Sequence, residues 1–439
     1  MTETPVGRLI ITLAIPTTIS MLITNIYNMA DTAFVGRLGN SASGAVGVVF
    51  GFMAVIQAFG FLFGQGGGSI VSRQLGEQHA EKATYTASTA FFASLFMGMT
   101  ISCFGFLTID RLVVWLGSTE TIAPFAQTYI FYILFAAPFM TTAFTMNNIL
   151  RYEGKAALGM IGLLSGSILN IAGDYIFMFV FDMGIAGAGL STALSQIVSW
   201  IILLAMFLTG RTTSRLRITC FTLQNALLMD IILTGFPSLL RQFLNSFSTI
   251  ILNTLSKPYG DEAVAGMSIV NRVVFFVFSV ALGIGQGFQP VCAFNYGAGK
   301  YGRVKRGIWF TLAVGMIMMT LAAAATVHFP EEIIRIFRDD DKVVQIGSRA
   351  LILQMLVQPA MPLAVVTEMT YQCSGKKLGA SLLSSLRNGI FFIPSIFLLS
   401  EYRGLSGIQE AQPLAILLAF AVSVFFFIHY LKSIKQSVS

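Results

Sequence analysis

Two aspartates stand inside apolar stretches where a charge is costly, Asp31 and Asp174. Asp31 ends a polar series of Thr17, Ser20, Thr24, Asn28 (or Tyr27) and Asp31, spaced as one face of a helix. Asn170 lies one turn before Asp174, so an amide and a carboxylate share a face. A third stretch carries Thr192, Ser195 and Ser199 at the same spacing. Two carboxylates, an amide oxygen and a hydroxyl form a hard oxygen set suited to a small cation such as Na⁺. Two neighbouring carboxylates in a low dielectric suit a proton equally well. The bland alternative leaves Asn170 and Thr192 as hydrogen bonds between adjacent helices. Few other ionisable groups sit as deep: Glu368, with Arg241, Arg272, Arg349 and Arg387. For Glu368 an ion pair with Arg241, Arg272 or Arg387 competes with a role facing the substrate.

The elements that must position these residues are membrane-spanning helices. Of 439 residues, 55% are apolar and only 11% charged, against about a quarter charged in soluble domains. Crossing the hydrocarbon takes roughly 20 apolar residues. Twelve such segments are predicted, at 9–35, 42–71, 84–108, 122–149, 157–181, 185–209, 226–256, 262–294, 307–328, 343–372, 378–400 and 407–431. The fold class is therefore all-α and integral to a membrane, embedded in a lipid bilayer. The first apolar run continues past Asp31 without a small-residue cleavage site, so it reads as a span and not as a cleaved leader.

Sixteen loop Lys and Arg fall on one side and seven on the other, which expects both termini in the cytoplasm. The net charge of +7 follows from this bias; no basic, aromatic-interleaved polar segment suits a nucleic acid. Four scattered cysteines form no CxxC pair, and three distant histidines form no HExxH. The glycine run Gly64 to Gly68 lacks the GK[ST] ending of a phosphate loop and suits close helix packing instead. Gly173-Asp174 lacks the neighbours of an intramembrane aspartyl protease, so no catalytic residue is expected.

The chain repeats. A gapless shift of 221 residues aligns Pro16 with Pro237, Gly39 with Gly260, and Gly64-Gln65-Gly66 with Gly285-Gln286-Gly287. It also aligns Pro138 with Pro359 and Gly154-Lys155 with Gly375-Lys376. Six helices per repeat make the halves parallel, an architecture of secondary transporters. Lobes of 1–217 and 218–439 are expected. The same shift places Leu252 opposite Asp31 and Ser395 (or Pro394, allowing one deletion) opposite Asp174, so the scaffold is duplicated and the acids are not.

Pro16 to Gly39 with Met29-Ala30-Asp31, then Arg151-Tyr152-Glu153-Gly154-Lys155 and Asn170-Ile171-Ala172-Gly173-Asp174, occur in order along the chain. Gly184 to Thr192 and Gly285-Gln286-Gly287-Phe288-Gln289-Pro290 follow. Together they resemble the multidrug and toxic compound extrusion (MATE) family, its bacterial MepA- and DinF-like branches above all. The resemblance implies two six-helix bundles around a central cavity, and export of organic, cationic or amphipathic, compounds against Na⁺ or H⁺. It implies that Asp31, Asn170, Asp174 and Thr192 bind the coupling ion, with Asp31 and Asp174 as the Na⁺ ligands if sodium is used. Tyr27, Asn28, Met178 and Glu368 are the residues expected to face substrate. A C-terminal acidic pair used by another branch meets Asn245 and Leu363 here and is not carried over. No cofactor beyond the coupling ion is expected, and the chain is expected to act as a monomer in a bacterial or archaeal cytoplasmic (inner) membrane. A flippase of lipid-linked saccharides, of the same superfamily, is the alternative.

Overall fold

The structure, a computed structural model, describes residues 1–222 and 224–436. The side chains of Asn40, Lys435 and Gln436 are outside that description, so Lys435, counted among the loop charges, is untested.

Among the described residues twelve helices are long and apolar enough to span a membrane: α1 Val6–Gly36, α2 Ser41–Gly76, α3 Ala80–Leu107, α4 Ala123–Tyr152, α5 Ala156–Val180 and α6 Gly184–Leu208. The second set is α7 Asn225–Tyr259, α8 Asp261–Gly297, α9 Tyr301–His328, α10 Asp341–Cys373, α11 Lys377–Arg403 and α12 Leu405–Ile434. Each matches an apolar segment of the sequence, and most run past it at one or both ends, while α5 and α6 are shifted by a single residue. A helix continues through its polar ends until a cap or a turn residue stops it, whereas hydropathy marks only the apolar middle. Asp340 caps α10 by accepting hydrogen bonds from the backbone N–H of Lys342 and Val343 at 3.0 and 3.2 Å. Many large apolar side chains stay exposed, among them Phe96, Leu107, Ile168, Leu208 and Phe425. In water such a surface would be a liability; in lipid it is the stable one.

Two of the repeated glycine pairs have a turn to make. Gly39 and Gly260 adopt φ of 113° and 94° before α2 and α8, and Gly154 and Gly375 adopt 82° and 73° after the α4 and α10 turns. Side chains rarely tolerate that region, so the pairs mark equivalent chain reversals.

The other repeated glycines hold helices together, and they explain how the chain divides. It forms two compact units, one of Ile19–Leu239 and one of Met1–Thr18 with Leu240–Ser439. These are not the sequence lobes 1–217 and 218–439: the boundaries fall inside α1, just past Pro16, and inside α7, just past Pro237. Within the second unit a Cβ at Gly287 of α8 would lie 2.6 Å from Ala14 Cα of α1. Within the first, a Cβ at Gly66 of α2 would lie 2.9 Å from the backbone nitrogen of Gly235 in α7. Such approach is open only to glycine, and it draws the leading segment of each repeat onto the glycine-bearing helix of the other.

In the Ile19–Leu239 unit, α4 lies inside. Its Tyr129, Ile130, Ile133, Leu134, Ala136, Ala137 and Met140 are fully buried against α2 and α6. The linker after α6 is tied to the same unit. Glu153 accepts hydrogen bonds from the backbone N–H of Thr213 (2.7 Å) and Ser214 (2.8 Å) and from the Ser214 hydroxyl, with Lys155 at 3.5 Å.

Candidate functional site: a buried pair of carboxylates

Asp31 on α1 and Asp174 on α5 are 3% and 0% exposed. The two carboxylates lie within electrostatic reach of each other. Asn170, one turn before Asp174, donates its side-chain N–H to Thr192 Oγ on α6 at 3.2 Å, and its backbone carbonyl accepts from Ser191 Oγ at 2.9 Å. Tyr129 of α4 brings its phenol close to Asp31 and Thr192, although its hydroxyl closes no hydrogen bond. Tyr27 of α1 is buried beside both acids. The sequence-predicted set Asp31, Asn170, Asp174 and Thr192 is thus brought together by three helices of one unit.

Local chemistry explains how α5 and α6 come so near. A Cβ at Gly173 would lie 2.5 Å from Ser191 Oγ, and one at Gly187 would lie 2.7 Å from the Phe177 carbonyl carbon. Directly after Asp174 the helix widens into a π-helical turn, Ile176–Val180. Such turns lodge an extra residue in an α-helix and recur beside functional sites.

The oxygens fit a cation. Asp31 Oδ1, both Asp174 carboxylate oxygens and Asn170 Oδ1 are buried without a hydrogen-bond donor. Buried charge with no partner is strongly unfavourable, and a bound Na⁺ or a proton removes that cost. Every donor is oxygen, which matches Na⁺ and excludes a preference for softer metals. Among the described residues no three His, Cys, Asp or Glu gather as a metal cluster, so the set is two carboxylates with neutral oxygens.

Residues expected to face substrate are placed differently from one another. Asn28 is half-buried on α1. Met178 is 1% exposed in an apolar cluster with Val35, Ile185 and Ala188, which is core packing and differs from the substrate-facing expectation. Glu368 belongs to the other unit, where Arg241 Nη1 meets its Oε1 at 2.5 Å; of the pairings open in the sequence, this one forms. Arg272 is exposed. Two members of the site had escaped the sequence reading, Tyr129 and Ser191. Tyr129 carries no spacing signal, and Ser191 faces Asn170 only because Gly173 lets the helices close.

Comparison with known proteins agrees with this architecture. The MatE family model matches residues 16–176 and 237–398. The two matches begin at the repeated prolines, 221 residues apart. The chain is 26% identical over 396 residues to the multidrug export protein MepA of Staphylococcus saprophyticus, covering 90% of this chain and 87% of that one. It is 25% identical over 407 residues to MepA of Staphylococcus aureus strain MRSA252, covering 92% and 90%. A MATE protein crystallised in complex with MaL6 superposes with a TM-score of 0.94 at 24% identity, over 99% of this chain and 98% of that one. A multidrug resistance MATE family transporter in an outward-facing conformation gives 0.93 at 24% identity, over 99% and 98%.

Proposed function

The chain belongs to the MatE family, and from that premise we propose that it is a secondary antiporter exporting organic compounds in exchange for Na⁺ or H⁺. The observation that carries the reading is the pair of buried carboxylates, Asp31 and Asp174, of which Asp31 Oδ1 and both Asp174 oxygens lack a donor within the protein. An acid kept at membrane depth without a partner is a site for a charge that comes and goes. Similarity to proteins named for multidrug export supports a cargo of drug-like, cationic or amphipathic molecules. In this reading the protein transports and does not catalyse, and the coupling ion is its only small partner besides cargo. It works as a monomer in a cytoplasmic (inner) membrane, with both termini inside as the basic loops dictate.

Coupling runs through α1. The helix carries Asp31 in one compact unit and its leading segment, up to Thr18, in the other, with Pro16 breaking the hydrogen-bond ladder near the division. Ion uptake at Asp31 and Asp174 from outside therefore acts on a helix that both units share, which links the ion to alternating access. A membrane potential supplies about 2.3 kcal/mol per charge per 100 mV for the exchange.

Proteoliposomes holding the full chain and a fluorescent organic cation test this reading. An imposed Na⁺ or proton gradient drives release of the dye, and Asp174→Asn abolishes it while reconstituting to the same density. Unimpaired gradient-driven release by Asp174→Asn removes the ion-site assignment.

A further inference from the structure

A second buried charge cluster lies wholly within the unit formed by Met1–Thr18 and Leu240–Ser439, and its charges do not balance. Arg241 on α7 and Glu368 on α10 pair at 2.5 Å and are 9% and 6% exposed, so they neutralise each other. Arg387 adds a further positive charge from the π-helical turn Leu386–Phe391 in α11. It forms no ion pair among the described residues, although Glu368 lies within its electrostatic reach. One carboxylate cannot balance two guanidiniums.

The Arg387 side chain is held by a prepared framework. Its Nε donates to Asn388 Oδ1 at 3.1 Å, and Nη1 faces the thioether of Met361 at 3.8 Å. The guanidinium carbon lies 4.5 Å from the centre of the Phe278 ring. Asn388 is fixed in turn, donating Nδ2–H to Asn245 Oδ1 at 3.2 Å while its carbonyl accepts from Ser248 at 2.6 Å. A guanidinium has five N–H donors. Asn388 takes one, a thioether is a weak acceptor, and Arg387 keeps part of its surface open. A fork of donors is therefore left on a cation stacked against an aromatic face, the geometry that binds a planar carboxylate in two-point fashion.

Architecture alone does not require this cluster. The 221-residue shift sets Gly166, Asn147 and Ser20 opposite Arg387, Glu368 and Arg241. One repeat thus holds two buried acids and the other a net positive cluster, with π-helical turns at Ile176–Val180 and Leu386–Phe391.

We propose that Arg387 anchors an anion-binding site in the C-terminal unit that takes the carboxylate of an aromatic organic acid, with Phe278 and Met361 flanking its apolar body. The site is separate from the aspartate pair, and its test needs no ion gradient, so its failure and a failure of the antiport reading are distinguishable.

Purified full-length protein in detergent is titrated with 2-naphthoate and with 2-naphthamide, which share a ring system and differ in charge, and bound ligand is measured by equilibrium dialysis. Naphthoate binds saturably and about tenfold or more tighter than naphthamide, as a charge-assisted bidentate contact requires. Arg387→Gln abolishes the preference, and Arg387→Lys keeps part of it by retaining the charge without the fork. Equal binding of the two compounds overturns the proposal, and so does an undiminished naphthoate preference in monodisperse Arg387→Gln. Should Arg387→Gln fail to fold, the comparison on the unmodified protein and on Arg387→Lys still decides.

Discussion

Asn170 directs its side-chain nitrogen to Thr192, 3.2 Å away, and leaves its oxygen, like those of Asp174, without a donor. The hydrogen bond orients the amide. A neutral oxygen is thereby held one turn from a carboxylate, and the structural and ion-binding readings of Asn170 become one arrangement.

Thr192→Val removes that acceptor at nearly constant volume and frees the amide to rotate. The lost hydrogen bond is about 1 kcal/mol, so the Na⁺ or H⁺ concentration giving half-maximal export rises roughly fivefold. Gradient-driven dye release across a series of Na⁺ concentrations and pH values reads the shift, and an unchanged half-saturation point removes Thr192 from the site.

Asp31→Asn keeps the shape of the site and deletes one of its two charges. Export driven by an ion gradient falls to the level of empty liposomes, while the protein elutes and melts as the parent does or slightly above it, since a buried charge with no cation beside it in the protein has been removed. Marked destabilisation without loss of export would instead make Asp31 a packing residue.

Breaking the Arg241–Glu368 pair on one side strands the other charge. Glu368→Leu costs about 3–5 kcal/mol and lowers the melting temperature in detergent, whereas Arg241→Met combined with Glu368→Leu recovers most of the loss. Thermal unfolding of the single and double variants measures this, and equal melting of both would show the pair to be energetically idle.

Gly287→Val places side-chain carbon where Ala14 already stands. Overpacking of this kind costs about 1–3 kcal/mol, and the crossing of α1 and α8 cannot widen without moving the segment that carries Pro16. Low yield of monodisperse protein and a lowered melting temperature are the expected outcome, compared with Gly302→Ala, where nothing lies within reach of an added carbon.

Glu153→Ala releases the linker after α6, because the carboxylate anchors Thr213 and Ser214. Trypsin then cuts at Arg211, Arg215 or Arg217 faster than in the parent protein. Mass spectrometry of timed digests reads the difference, and cleavage at parental speed would show that other ties, such as Ser88 to the Arg215 carbonyl at 3.0 Å, suffice.

The chain alone determined the twelve helices, the repeat and the two acids, and the reason is one of solvent. Hydrocarbon penalises every polar atom, so spans, the scarcity of charge within them and the glycines that turn or cross helices are written locally. Fully apolar helices, by contrast, carry no periodic stripe that says which face meets which neighbour. Only the tertiary structure could set Tyr129 and Ser191 against Asp31 and Asn170, bury Met178 in the core, or choose Arg241 over Arg272 and Arg387 for Glu368. It alone moved the unit boundaries from the linker into α1 and α7, because close packing at Gly287 and Gly66 depends on which helices meet, and no spacing along the chain encodes that.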